Sequence, residues 1–138
     1  LFWAVKGEGA FLNGKSIKTA SYRKQINQMI LITPVFQRLL LDTHPHKDSF
    51  YNLAHDVRAI RSVGSVALEL CMVANGKADI FIGMKSSSWD HNAARIIVEE
   101  SGGVICDLSG EELPVRKESS VIACSSRENL EFLIRNYL

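Results

Sequence analysis

The chain has 138 residues, 46% hydrophobic and 22% charged, enough to bury one ordinary core and too apolar for a disordered polymer. Sixteen Lys and Arg stand against fifteen Asp and Glu for a net charge of +1, and neither sign gathers into a block, which argues against nucleic acid or a membrane surface as partner. No apolar run reaches the roughly 18 to 20 residues of a membrane span, so the expected partner is a small molecule or another protein.

The opening LFWAVKGEGAF has no initiator Met, basic n-region or small-residue cleavage site, and it alternates as a strand does, so the chain reads as a fragment that opens inside a fold. FWAVKGEGAFLNGKSI predicts short strands joined by glycine turns, with Asn13-Gly14 as a type I′ hairpin. A dinucleotide fingerprint is rejected, because Leu12 stands where a third glycine is needed and no helix pattern follows. QMILITPVF, 28–36, predicts a buried strand stopped by Pro34, and the mixed stretch after it holds a short helix over about 47–55. VRAIRSV, 57–63, alternates like a strand and hands over at Gly64-Ser65 to VALELCMVANG. That helix carries Glu69 as its only charge, so it is expected to be buried nearly all round and to end at Asn75-Gly76 in a left-handed cap.

ADIFIGM, 78–84, is the next predicted strand, KSSS a loop, and Trp89 to about Ser101 a helix closed by Gly102-Gly103. A strand at 104–108, a turn at SGEE, a strand at 120–125 and a terminal helix from SRENLEFLIRNYL complete the chain. Strands alternating with helices define an α/β layered structure. Cys71, Cys106 and Cys124 are odd in number, lack CxxC spacing and sit in apolar contexts, which fits buried thiols in a reducing, cytoplasmic compartment.

Ser87-x-x-Asp90 fits a capping box, and an acid in a helix's first turn gains about 0.3 to 1 kcal/mol from the macrodipole, so capping alone accounts for Asp90. The alternative is a ligand carboxylate. The helix, expected to bury Ala93, Ala94, Ile97 and Val98, starts at a strand-to-helix crossover where open α/β sheets present ligand sites. Carboxylate oxygens there suit Mg²⁺, although one carboxylate makes a poor magnesium site. At Gly64-Ser65 free N–H groups at a helix start suit a phosphate or a sugar hydroxyl, against an ordinary Ser cap after a tight turn. His44-Pro45-His46 lacks further ligands for a tetrahedral metal site and reads as solvated loop; His55 is isolated and His91 is expected on the exposed side of its helix. No Ser/His/Asp order or nucleophile elbow occurs.

Taken together, GEGAFLNGKSI, RSVGSVALELCMVANGKADIF, SWDHNAARIIVEESGGVICDLSG and VIACSS resemble, in order and spacing, the carboxy-terminal half of the inositol monophosphatase family. The family's signature of Trp-Asp, a variable residue, two Ala and Gly appears as Trp89-Asp90-His91-Asn92-Ala93-Ala94, departing at Asn92 and Ala94. The resemblance implies a Mg²⁺-dependent, Li⁺-sensitive phosphomonoesterase, a homodimer at full length, using in-line attack of a metal-activated water. It implies a layered mixed sheet with flanking helices, residues 28–138 forming the carboxy-terminal lobe and residues 1–27 a strand and hairpin remnant of the amino-terminal lobe. It makes Asp90 a metal ligand and Gly64, Ser65 and Val66 contacts to the substrate's ring; Lys85 could meet a second phosphate or solvent. In inositol-specific members an acid that holds a ring hydroxyl lies seven positions before the metal-binding Asp, where this chain has Gly83, so fructose 1,6-bisphosphate or NADP competes as substrate. The family's Gly-Glu-Glu element and Asp-Pro-Leu-Asp-Gly-Thr loop, with most metal ligands, are expected outside these residues. The chain then holds half a site and is inactive without the missing amino-terminal lobe. A non-catalytic binding or assembly module is the reading from another class.

Overall fold

A computed structural model describes residues 1–20, 25–34 and 45–138. Its first strands, β1 (Phe2–Val5), β2 (Gly9–Leu12) and β3 (Lys15–Ile17), form an antiparallel meander in that order, with Ala10 opposite Ala4 and Ile17. Asn13 and Gly14 take φ of 50° and 79°, the paired left-handed residues of the expected type I′ turn. Ala10 and Ile17 point inward with Phe2, Ala4 and Leu12. On the opposite face Trp3 stacks on Phe11 with ring centroids 4.3 Å apart.

A second, five-stranded sheet holds β4 (Ile30–Ile32), β5 (Ala59–Arg61), β6 (Ile80–Ser86), β7 (Val104–Cys106) and β8 (Ser119–Cys124) in the order β5-β4-β6-β8-β7. It is mixed: β4 runs parallel to β5 and β6, and β8 runs antiparallel to β6 and β7. Parallel neighbours cannot be joined by a hairpin and need crossovers. α1 (Lys47–Asp56) therefore precedes β5 and α2 (Val66–Ala74) precedes β6; α3 (Ser88–Glu100) follows β6, and α4 (Arg127–Tyr137) closes the chain.

Strand alternation splits the core into two faces. Ile32, Phe81, Val121 and Ala123 meet Leu70, Val73, Ala94 and Val98 of α2 and α3, while Leu31, Ile80, Ile82 and Ile122 meet Phe50, Leu53, Leu130 and Leu133 of α1 and α4. The meander covers the outer side of α3. Four layers result: meander, α2 with α3, mixed sheet, α1 with α4.

Both inner helices end in the same device. Gly76, at φ +67°, and Gly102, at φ +93°, are left-handed; Gly76 and Lys77 donate to Val73 and Met72 carbonyls as Gly102 and Gly103 do to Glu99 and Val98. That is the Schellman pattern. The segment after β3 nests on both ends: a Cβ at Gly76 would lie 3.2 Å from Ala20 N and 3.3 Å from Lys18 O, one at Gly103 would lie 3.1 Å from Thr19 Cγ2, and Thr19 N–H donates to Ser101 O at 3.1 Å. Glu100 adds a tie by accepting the N–H groups of Gly7 at 2.8 Å and Gly9 at 2.9 Å.

Several expectations are corrected. α2 is not buried nearly all round: Ala67 and Leu68 are exposed, the buried positions being Glu69, Leu70, Cys71, Val73 and Ala74. The KSSS loop is largely absorbed, with Lys85 and Ser86 extending β6 and Ser88 opening α3. Ala93, expected inside, is exposed, and His91, expected on the exposed side of its helix, is buried in the core instead. The cysteines are free and buried, His46 is the N-cap residue of α1, and His44 and the end of QMILITPVF lie outside the described residues. Among those residues no helix is long and apolar enough to cross a membrane.

Gly76→Ala is expected to cost at least about 1 to 2 kcal/mol in urea denaturation, since alanine at a left-handed φ carries that penalty before its contact with Lys18 and Ala20 counts. The amides of Gly7 and then Gly9 hold the Glu100 carboxyl below its ordinary 4.5. A depressed carboxyl contributes stability that is present above the ordinary value and lost as pH falls through the depressed one. Hydrogen exchange at Gly7 and Gly9, corrected for intrinsic rate, should therefore stay protected near pH 6 and lose protection in acid below 4.5, and Glu100→Ala should remove the pH dependence.

Candidate functional site

α2 follows β5 and α3 follows β6, two strands that both run parallel to β4, so both helices start at one edge of the sheet, where the parallel strands end. Open α/β sheets place ligands at that edge. The exits of β4 and β5 are bonded together there: Thr33 N–H donates to Arg61 O and Ser62 Oγ to Pro34 O, each at 3.0 Å. Gly64, Ser65 and Val66 form the approach to α2, and Asp90 stands in the first turn of α3, packed beside it.

Gly64 sits at φ +81°, with nothing within 4 Å of the place a Cβ would occupy. Ser65 is the N-cap residue, yet its side chain makes no capping bond, so the first-turn N–H groups of α2 stay unsatisfied by it. The loop is held from below by Glu69, wholly buried, whose Oε1 accepts Val63 N–H at 2.6 Å and Gly64 N–H at 3.0 Å. Sequence reasoning noticed Glu69 only as a lone charge. Its spacing, five and six residues after the turn, is the signal for this reach.

The capping box is a second correction. Ser87 does occupy the N-cap position of α3, but its side chain makes no capping bond, and Asp, a methylene shorter than Glu, does not reach back. The half-buried Asp90 carboxylate has no hydrogen-bond or ion-pair partner among the described residues, while its place in the first turn still sets it against the helix dipole. Trp89 beside it is 80% exposed.

His91 is fully buried, its Nε2 3.3 Å from Pro114 O and its Nδ1 without a partner. Asn92 donates to Val115 O at 2.9 Å, and Arg95 bridges Glu99 at 2.8 Å and Glu112 at 2.5 Å. The first turns of α3 thus grip the loop between β7 and β8. That loop contains Gly110-Glu111-Glu112, so a Gly-Glu-Glu tripeptide does occur in the chain. Glu112 is engaged by Arg95, and among the described residues no three His, Cys, Asp or Glu side chains gather where a metal ion could be held.

Lys85, exposed at the end of β6, pairs with Glu118 at 3.2 Å; at 67% and 54% side-chain exposure such a pair holds it loosely. Gly83 is buried in β6 beside a register shift, and a Cβ there would fall 2.9 Å from the Phe81 ring. Of the four buried side-chain atoms without partners among the described residues, three, Glu69 Oε2, Ser86 Oγ and His91 Nδ1, belong to residues that flank this edge, and the fourth, Asn129 Oδ1, lies in α4. Buried polar groups are ordinarily paired, so their concentration marks this edge.

The sequence model of the inositol monophosphatase family matches residues 1–137. The chain is 36% identical over 120 residues to Inositol monophosphatase 1 of Solanum lycopersicum, covering 86% of this chain and 44% of that protein. It is 36% identical over 138 residues to the Fructose-1,6-bisphosphatase/inositol-1-monophosphatase of Methanothermobacter thermautotrophicus, covering 93% and 45%. A crystal structure of the staphylococcal SaIMPase-II with inositol monophosphate bound superposes with a TM-score of 0.87 at 26% identity, over 99% of this chain and 52% of that one. The chain spans about half the length of the curated relatives it matches.

Gly83→Asp is expected to lower stability by about 1 to 3 kcal/mol, the usual cost of overpacking, seen as a lower urea midpoint. An unchanged midpoint would show that the Phe81 ring yields freely.

Proposed function

The chain belongs to the inositol monophosphatase family, and from that membership we propose that it is the carboxy-terminal part of a Mg²⁺-dependent phosphomonoesterase acting on inositol phosphate or a related sugar phosphate. The observation that carries the proposal is Asp90: a half-buried carboxylate without a partner among the described residues, at the edge where two helix N-termini open. Its free oxygens suit a hard cation. The fit is partial, because Mg²⁺ takes about six oxygens and Asp90 has no companion ligands among the described residues. The remaining ligands then come from the amino-terminal half of the same protein. When bound, the ion supplies Lewis-acid stabilisation of the phosphate.

Gly64, Ser65 and Val66 take the role of contacts to the substrate's ring, a role supported by the uncapped amides at the start of α2. Lys85 is assigned to a second phosphate, its weak pair with Glu118 being easily exchanged. Fructose 1,6-bisphosphate and NADP are the competing substrates, favoured by Gly83: the Phe81 ring fills the space an acidic side chain would need there to hold a ring hydroxyl. The buried, free thiols support a reducing compartment.

Alone, the 138 residues are expected to leave phosphomonoesters intact in the presence of Mg²⁺. Turnover comparable to a full-length relative that disappears in Asp90→Asn would overturn the half-site reading. In a protein that includes the amino-terminal half, Asp90→Asn should lower kcat by at least about a hundredfold. A panel of inositol phosphate, fructose 1,6-bisphosphate and NADP tests the substrate class, and a clear preference for inositol phosphate would defeat the argument from Gly83.

A further inference from the structure

Glu69 is the one charged side chain of α2 and is wholly buried. Burying a carboxylate is costly unless it is hydrogen-bonded. Oε1 is bonded, accepting Val63 N–H at 2.6 Å and Gly64 N–H at 3.0 Å. Oε2 has no partner. A glutamine could accept the same two bonds without bringing a charge into the interior.

The shape of the turn depends on those bonds. Gly64 holds a left-handed φ of +81° in open space, with no neighbour within 4 Å of a notional Cβ, so crowding does not impose its conformation. The pull of one carboxylate oxygen on two successive N–H groups does. The same carboxylate lies beneath the first turn of α2, where Ser65 leaves the N–H groups uncapped. An uncapped helix start ordinarily attracts anions, through its free donors and the positive end of the dipole. An anion already buried there opposes a second one.

We propose that Glu69 is a positioning and specificity-determining residue: it fixes the Val63–Gly64 backbone and, by its charge, makes the start of α2 accept neutral sugar hydroxyls in preference to phosphate. The inference rests on the assignment of Gly64, Ser65 and Val66 to the substrate's ring. It adds the residue that enforces this choice and the direction of its effect. Substrates that would lay a phosphate on this turn are disfavoured, and a ring is oriented with its phosphate away from it.

The test is a titration of the isotopically labelled chain and of Glu69→Gln with myo-inositol and, separately, with inorganic phosphate, following the amide resonances of Gly64, Ser65 and Val66. Glutamine keeps the two accepted bonds and removes the charge, so protection of the Val63 and Gly64 amides should persist while the preference changes. Myo-inositol is expected to move the three resonances in both proteins. Phosphate is expected to move them in Glu69→Gln at concentrations about tenfold lower than in the parent chain, the effect of one removed like charge near the helix start. Equal responses to phosphate in the two proteins, or none in either, would overturn the proposal. If phosphate separates the two proteins but myo-inositol moves neither, the ring assignment falls while the charge selection stands. Should Glu69→Gln fail to fold, Glu69→Asp, which keeps the charge, and Glu69→Asn, which removes it, make the same comparison.

Discussion

Parallel pairing of β4 with β5 and with β6 is the constraint on which the rest of the molecule depends. A parallel neighbour can be reached only by a crossover that returns the chain to the starting edge. The crossover from β5 to β6 supplies α2, which begins where β5 ends, and α3 begins where β6 ends. The two starts share an edge because both strands run parallel to β4, before any chemistry is specified. β8, antiparallel to both its neighbours, and β7 complete the sheet on one side, and the loop between them packs against the first turns of α3 at this edge.

The two acidic side chains of α2 and α3 at that edge illustrate how burial assigns roles. Glu69 is enclosed and spends its Oε1 on two backbone donors, so it shapes the loop above it. Asp90 stays half-buried and spends nothing on the described residues, which leaves its oxygens for something external. Nearby Trp89, Val63 and Leu68 are 80%, 50% and 42% exposed.

Local rules carried much of this fold. Asn13-Gly14 and the Gly76 and Gly102 helix ends follow from backbone conformations that few residues tolerate, and such positions are legible one at a time. The α4 start was legible for a similar reason, Ser126 Oγ accepting Asn129 N–H at 3.2 Å. Where reading failed, the cause was a choice between two local rules. His91 stands three residues before Ala94 and seven before Val98, squarely on the buried stripe, a position that its polarity disguises. Ala93 is apolar yet lies off that stripe. Glu69 and Phe81 were out of reach in another way, since their roles depend on which turn, or which vacant side-chain position, the folded backbone brings against them. At the candidate site, residue type and spacing single out Gly64, Ser65, Val66 and Asp90 but are met equally by ordinary helix capping, and only the family resemblance assigns them roles; the carboxylate that holds the Val63 and Gly64 amides is visible in the sequence only as an exception to a hydrophobic run.

Residues 18–20 meet the end of α2 through main-chain atoms, Ala20 N and Lys18 O lying beside Gly76, and the end of α3 through the Thr19 N–H on Ser101 O, with the Thr19 side chain beside Gly102 and Gly103. Side chains can change rotamer to absorb a shift; a backbone atom lying beside a glycine has no such freedom. The meander and the five-stranded sheet are therefore joined as if by a keyed joint, without the slack that would let one slide or swing over the other. Anything that grips the meander from outside transmits its load directly to the far ends of the two helices whose starts frame the site, and the helices carry it as rigid struts to the opposite edge.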